Sequence, residues 1–216
     1  MIGRLWLRWK QHQAERARKK IFRDRRKKIQ REDFAIVANN CWGAEIYKYF
    51  DLPFNTPFIG LFLYPDCFIR LLENWTETDL QNILIGHKSI YNEELLPYPV
   101  GVLATGIEIH FLHYKSLQEA EGKWKRRAAR LQKVRDLNQL YFRFCDRDGA
   151  KDEHFARFEA LRFPHKISFS ATAKAISVNR VTKSEDGNPD QADDGVKVFR
   201  HELNHGFDLY GWLNGK

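Results

Sequence analysis

Nowhere does the sequence hold an unbroken run of about eighteen apolar residues, the length that crosses a bilayer as a helix. Its first residues also lack the apolar core of a signal peptide, so a cytoplasmic protein is expected. Cysteine is scarce. Cys41, Cys67 and Cys145 are the only three, an odd number without the paired spacing of a zinc knuckle, so neither a disulfide framework nor a structural metal is indicated. Each reads as a free thiol. No internal repeat is visible, and nothing implies a cofactor. What is present is core material: 216 residues with 43% apolar and 14% aromatic side chains suffice for one globular domain.

Charge imbalance is also missing from most of the chain. Residues 1–33 hold thirteen Lys or Arg against four acids, a net of +9, which leaves 23 basic and 24 acidic residues in the remainder. The body is therefore no polyanion binder by composition. The head contains no Pro, has no Gly after Gly3, and is rich in Arg, Lys, Gln and Ala, so it is expected to be helical. At about 100° per residue, Ile2, Leu5, Trp6 and Trp9 share one face, and beyond Lys10 the segment is polar nearly all round. A Trp-bearing tip on a cationic stem suits an anionic membrane surface at the inner face of the membrane. The rival readings are nucleic acid and a merely solvated extension; the partner adopted is the membrane surface, with no nucleic acid.

At Phe34 the composition changes, and the folded domain is expected to span 34–216. Phe34 to Ala38 reads as a buried strand, followed by a turn at Asn39 to Gly43 and a helix from Ala44 to Phe50 that starts near Cys41. Phe58 to Leu63, Leu80 to Ile85, Val100 to Ala104, Ile107 to Tyr114, Tyr141 to Cys145 and Lys166 to Ala171 are further strand candidates. Helices are expected from Pro65 to Asn74, Ser116 to Arg135 and Asp152 to Leu161. The interspersed order argues α/β or α+β, a single mixed-sheet domain with flanking helices behind a basic N-terminal helix. Residues 183–195 are acidic and turn-rich, which marks a mobile surface loop.

Two motifs point to metals without the context to hold one. His201-Glu202-Leu203-Asn204-His205 is a literal H-E-x-x-H, but Gly211 stands where an extended zincin would need its third His. Asp186, Asn188 and Asp190 open like a calcium loop, but Gln191 replaces the turn glycine and Lys197 the closing Glu. No metal is assigned.

Cys41 carries more chemistry. A thiol at a strand-to-helix turn meets the positive end of the helix dipole, which favours the thiolate. His110 and His113 lie later in the chain and either could serve as its base, with Asp146 or Asp148 orienting the imidazole. Alternation along a strand puts His113 with Ile107, Ile109 and Phe111, and His110 with Glu108, so the sequence does not choose between them. The alternative is a packing cysteine and two hydrogen-bonded histidines. In the long helix, Arg126, Arg127 and Arg130 beside Trp124 could clamp a phosphate or carboxylate, or form a solvated face paired with Glu119 and Glu121.

Asn39-Asn40-Cys41-Trp42-Gly43-Ala44-Glu45-Ile46-Tyr47, followed by Leu52-Pro53-Phe54-Asn55-Thr56-Pro57-Phe58, resembles a bacterial family of exopolysaccharide biosynthesis proteins, itself a domain of unknown function. The resemblance continues through Tyr98-Pro99-Val100-Gly101, Ile107 to Ser116, Lys123-Trp124, Arg126-Arg127, Arg130, Asp146-Arg147-Asp148 and Trp212-Leu213-Asn214. Cys41, Pro57-Phe58, His113 and Arg126-Arg127 also stand in an order similar to that of papain-like cysteine peptidase domains, without the Gln those enzymes place ahead of the cysteine. The implied function is a Cys–His hydrolase or acyltransferase acting on a glycan or its carrier, with Asn39, Asn40, Trp42, Lys115, Trp124 and the arginines as binding residues. The alternatives are a sugar- or nucleotide-sugar-binding transferase that uses the arginine helix, and a non-catalytic, membrane-associated assembly component. The expected ligand is a glycan or sugar phosphate, and the oligomeric state is left open.

Overall fold

The computed structural model describes residues 2–172, 179–180 and 192–215, with backbone only for 2–5 and 179–180. The elements run α1 (Ile2–Arg26), β1 (Ala35–Ala38), α2 (Trp42–Phe50), α3 (Pro65–Glu73), β2 (Ile83–Gly86), β3 (Val100–Leu103) and β4 (Glu108–His110). Then follow α4 (Leu117–Leu131), β5 (Leu140–Cys145), α5 (Asp152–Ala160), β6 (His165–Ser170), β7 (Asn179–Arg180), α6 (Gly195–Asn204) and α7 (Leu209–Leu213). The α/β expectation with flanking helices and a basic N-terminal helix is borne out.

The strands divide between two sheets. One is parallel with order β1-β5-β6-β7, the other antiparallel with order β2-β3-β4. Alternation along β1 and β5 sorts the core into two layers, as a parallel sheet covered on both faces requires. Ala35, Val37, Leu140, Phe142 and Phe144 face α3, α4 and α5, while Ile36, Ala38, Tyr141 and Cys145 face α2, α6 and α7.

Several expected boundaries shift. The Phe58–Leu63 strand is not formed: its only ladder contact is a single bridge between Phe62 and His110. The rest of that segment is buried coil, with Leu63 N donating to Asn39 O and the carbonyl of Gly60 accepting from His113 N. The 107–114 run keeps its strand only over Glu108–His110, and the long helix ends at Leu131. Packing of the head onto the body begins before Phe34. Arg25 and Arg26 donate to the carbonyls of Tyr49 and Phe50, satisfying acceptors that the end of α2 leaves open. Ile29 is buried, and Asn214 bonds both Gln30 N and Lys28 O.

Residues 183–191 of the expected acidic loop, including Asp186, Asn188 and Asp190, lie outside the described residues. Its end, Ala192 to Gly195, packs against the body. Ala192 and Asp193 are buried, Asp194 caps α6 through Val196 N and Lys197 N, and a Cβ at Gly195 would lie 2.4 Å from Trp42 N. Only glycine lets α6 start there.

Candidate functional site

The carboxyl ends of parallel strands are where open α/β sheets receive ligands, and the turn after β1 carries Cys41 to that edge. Asn40 locks the turn: its Oδ1 accepts from Trp42 N at 3.1 Å and Arg143 Nη1 at 3.0 Å, and its Nδ2 donates to Cys145 Sγ at 3.1 Å. Asn39 Nδ2 donates to the Cys145 carbonyl. Trp42 is wholly buried, with its ring against Phe169, Phe199 and Trp212 and its Nε1 donating to Glu202 Oε2 at 2.8 Å. Asn40 and Trp42, expected to contact ligand, therefore hold the fold through bonds within the chain. Asn39, also expected to contact ligand, is buried beside them, its Nδ2 bonded and its Oδ1 without a partner among the described residues.

Cys41 opens onto a cavity of about 360 Å³ between α2 and α4, which it shares with His113, Tyr114, Phe54, Lys123 and Arg127. Among its charged lining residues are three cations, Lys48, Lys123 and Arg127, and one carboxylate, Glu45. Gly60, at φ 70°, makes the turn that brings the carbonyl of Ile59 to the Tyr114 hydroxyl, which donates to it at 2.7 Å. Arg127 Nη1 in turn donates to that hydroxyl at 3.0 Å, and its guanidinium lies over the Phe54 ring. Lys48 and Lys123 pair with Glu45 and Glu119, each at 2.6 Å. Among the described residues no carboxylate pairs with Arg127. A larger cleft of about 450 Å³ sits at the amino end of β5, near Trp75, Leu80 and Leu140, but Arg135 is its only charged lining residue.

The surroundings of Cys41 do not favour the expected thiolate. Burial pushes the Cys41 thiol up to about 11, with Asp194, Glu45 and Asp148 adding to the effect against Lys48. The thiol points at the carbonyl of Leu61, 3.8 Å away. His113 lines the same cavity from an exposed turn, and no hydrogen bond joins the two.

His110 is elsewhere. It stacks on Phe62 with centroids 4.5 Å apart, and its Nε2 lies 3.4 Å from Glu108 Oε2, whose carboxylate also accepts from Ser89 and Ile90. Burial lowers the affinity of His110 for a proton in spite of that neighbour, and His110 does not line the cavity that Cys41 opens onto.

Asp146 does not orient an imidazole. Its carboxylate accepts from Ser170 Oγ, Ala171 N and Ala192 N, tying the end of β6 to the segment before α6. Asp148, at φ 67°, is half-buried, and burial raises its carboxyl above the usual range.

The arginine helix separates by direction. Ala120, Trp124, Ala128 and Leu131 form its buried stripe, and Trp124 Nε1 donates to the Leu80 carbonyl at 2.5 Å, so Trp124 is core and not a ligand contact. Arg126 is exposed, Arg130 Nη2 donates to the Phe54 carbonyl, and only Arg127 turns into the cavity. Lys115 is exposed at the start of the helix, its amide donating to Glu119. Phe54, Tyr114 and Lys48 are site residues that spacing alone did not single out.

The H-E-x-x-H helix turns its groups apart. Glu202 faces inward to Trp42, while His201 and His205 stack on each other at 4.0 Å, with His205 exposed. Among the described residues no group of three metal-ligating side chains occurs, and no helix is long and apolar enough to cross a membrane.

Residues 12–214 match the model of a family described as a domain of unknown function, DUF1919. A protein of Haemophilus influenzae (strain ATCC 51907 / DSM 11121 / KW20 / Rd), described as uncharacterized, is 34% identical over 150 residues, covering 69% of this chain and 68% of the relative.

Proposed function

The chain belongs to the DUF1919 family, and we propose that its Cys41 cavity binds an anionic sugar, a sugar phosphate or the phosphate of a glycan carrier, in surface-polysaccharide synthesis. The observation that carries this reading is Arg127. A half-buried guanidinium loses hydration, and among the described residues its only hydrogen bond is to a neutral phenol. Burial pushes the Tyr114 phenol up, so it stays protonated beside the arginine. The remaining guanidinium donors are free to form paired bonds to a phosphate or carboxylate.

Lys48 and Lys123, each paired with a carboxylate, line the cavity from α2 and α4, while Phe54 and Ile59 supply an apolar wall against which a sugar ring can lie. His113, which is exposed and lines the cavity, would be the group to move a proton if a transfer step occurs there. The support for polysaccharide synthesis as the setting is the sequence resemblance.

Between the two chemical readings, the geometry favours anion binding over thiol catalysis, since the Cys41 thiol is directed at a backbone carbonyl and burial pushes it up. Calorimetric titration with inorganic phosphate tests the reading at its simplest. Parent protein is expected to bind and Arg127→Gln to lose binding; equal heats from both would refute it.

A further inference from the structure

The first helix does not line the anion-binding cavity, and most of it is exposed. Residues 6–21 are all exposed, and only the last turns of α1 dock, through Arg25 and Arg26. At about 1.5 Å per residue, its 25 residues make a rod of roughly 37 Å. In proteins most helical stability comes from packing of an apolar face.

Its composition points to what covers it. Trp6, Leu7 and Trp9 stand 54%, 55% and 59% exposed at one end, and Ile2–Arg26 holds ten Lys or Arg against Glu15 and Asp24. Glu15 is taken by Lys19, Asp24 by Lys27 and Glu32 by Arg26, which leaves most of the helix's cations without an acid among the described residues. Between Lys10 and Lys20 the only apolar residues are Ala14 and Ala17, so there is no seam along which a second copy could coil. Apolar bulk is confined to the tip, and positive charge surrounds the stem.

We propose that α1 is a peripheral membrane anchor: Trp6, Leu7 and Trp9 enter the headgroup boundary of an anionic bilayer, and the cations behind them pair with lipid phosphates. Tryptophan is the side chain best suited to that boundary, and each basic residue near the surface contributes about 1 kcal/mol of attraction. A nucleic acid would engage the cations but gives no reason for an apolar cluster at one end. The inference is independent of the anion-binding cavity.

The test is sedimentation of the full chain with vesicles of phosphatidylcholine alone or with phosphatidylglycerol added. Trp6→Ala/Trp9→Ala, Arg16→Gln/Lys19→Gln/Lys20→Gln and Arg127→Gln are run beside the parent, with circular dichroism confirming that each is folded. The parent should sediment only with the anionic vesicles and less so as salt rises. The tryptophan and charge variants should each bind about ten-fold more weakly or worse, and Arg127→Gln should behave as the parent. Failure to sediment, or tryptophan and parent chains that sediment alike, would overturn the proposal. So would displacement from anionic vesicles by a small amount of duplex DNA, or a parent dimer that the tryptophan substitutions dissociate.

Discussion

Arg127 Nη1 donates to the Tyr114 hydroxyl at 3.0 Å, and that hydroxyl donates onward to the carbonyl of Ile59 at 2.7 Å. The chain of bonds joins α4 to the Gly60 turn and fixes the direction in which the one guanidinium inside the cavity points. Tyr114→Phe removes both bonds while keeping the ring against Phe111. The expected cost is about 1–2 kcal/mol of stability, since the Ile59 carbonyl loses its donor. Phosphate affinity should fall severalfold while the fold survives. Urea unfolding and phosphate titration of the same preparation check both, and an unchanged affinity would separate Tyr114 from the site.

Cys41 should be a poor nucleophile at neutral pH. With its thiol pushed up to about 11 by burial, iodoacetamide labelling should stay slow through the pH range where a free thiol of about 8.5 already reacts. It should rise only in strong alkali, and His113→Ala should leave the profile alone. A labelling midpoint below that of a free thiol, moved by His113→Ala, would restore the thiol-enzyme reading.

Glu202 should make the protein less stable as pH rises through neutrality. Burial raises its carboxyl from 4.5 to about 7, against the opposing pull of Arg143 and Trp42. The native state therefore holds a proton that the unfolded state releases. The stabilisation is fully present below about 4.5 and is lost as pH climbs through about 7. The full span is about 3 kcal/mol at roughly 1.4 kcal/mol per pH unit. Glu202→Gln keeps an acceptor for Trp42 Nε1 and removes the titration. The difference between parent and variant in urea midpoint should favour the variant more at about pH 8.5 than at about pH 5, and a difference independent of pH would contradict the assignment.

Much of the fold was legible because its signals are local. The apolar run before Asn39, Pro65 at the first position of α3 and Ser116 as the cap of α4, accepting from Glu119 N, need no partner to be read. The Phe58–Leu63 segment was misread because its apolar pattern also suits buried coil, and whether it pairs as a strand depends on where β4 lies. Trp124 was misassigned despite a readable signal: with Ala120, Ala128 and Leu131 it marks the buried stripe of an amphipathic helix.

The site was legible in its ingredients but not in its arrangement. Cys41 and His113 do meet in one cavity, whereas His110, only three residues away, falls on a different aromatic layer because the strand ends between them. The dipole expectation for Cys41 meets an opposing desolvation, since burial pushes the thiol up and it is directed at the Leu61 carbonyl, twenty residues away in sequence. Nor could spacing choose Arg127 over Arg126 or Arg130, since the choice rests on Phe54 and Tyr114, both distant in sequence.

The most direct test of the anion-binding account is a nuclear magnetic resonance titration of the parent chain, Arg127→Gln and Cys41→Ser with a hexose 1-phosphate, with the unphosphorylated hexose as control. The account predicts saturable shifts in the parent and in Cys41→Ser, little response to the free hexose, and loss of the phosphate response in Arg127→Gln. Binding that survives in Arg127→Gln, or that disappears in Cys41→Ser, would contradict it.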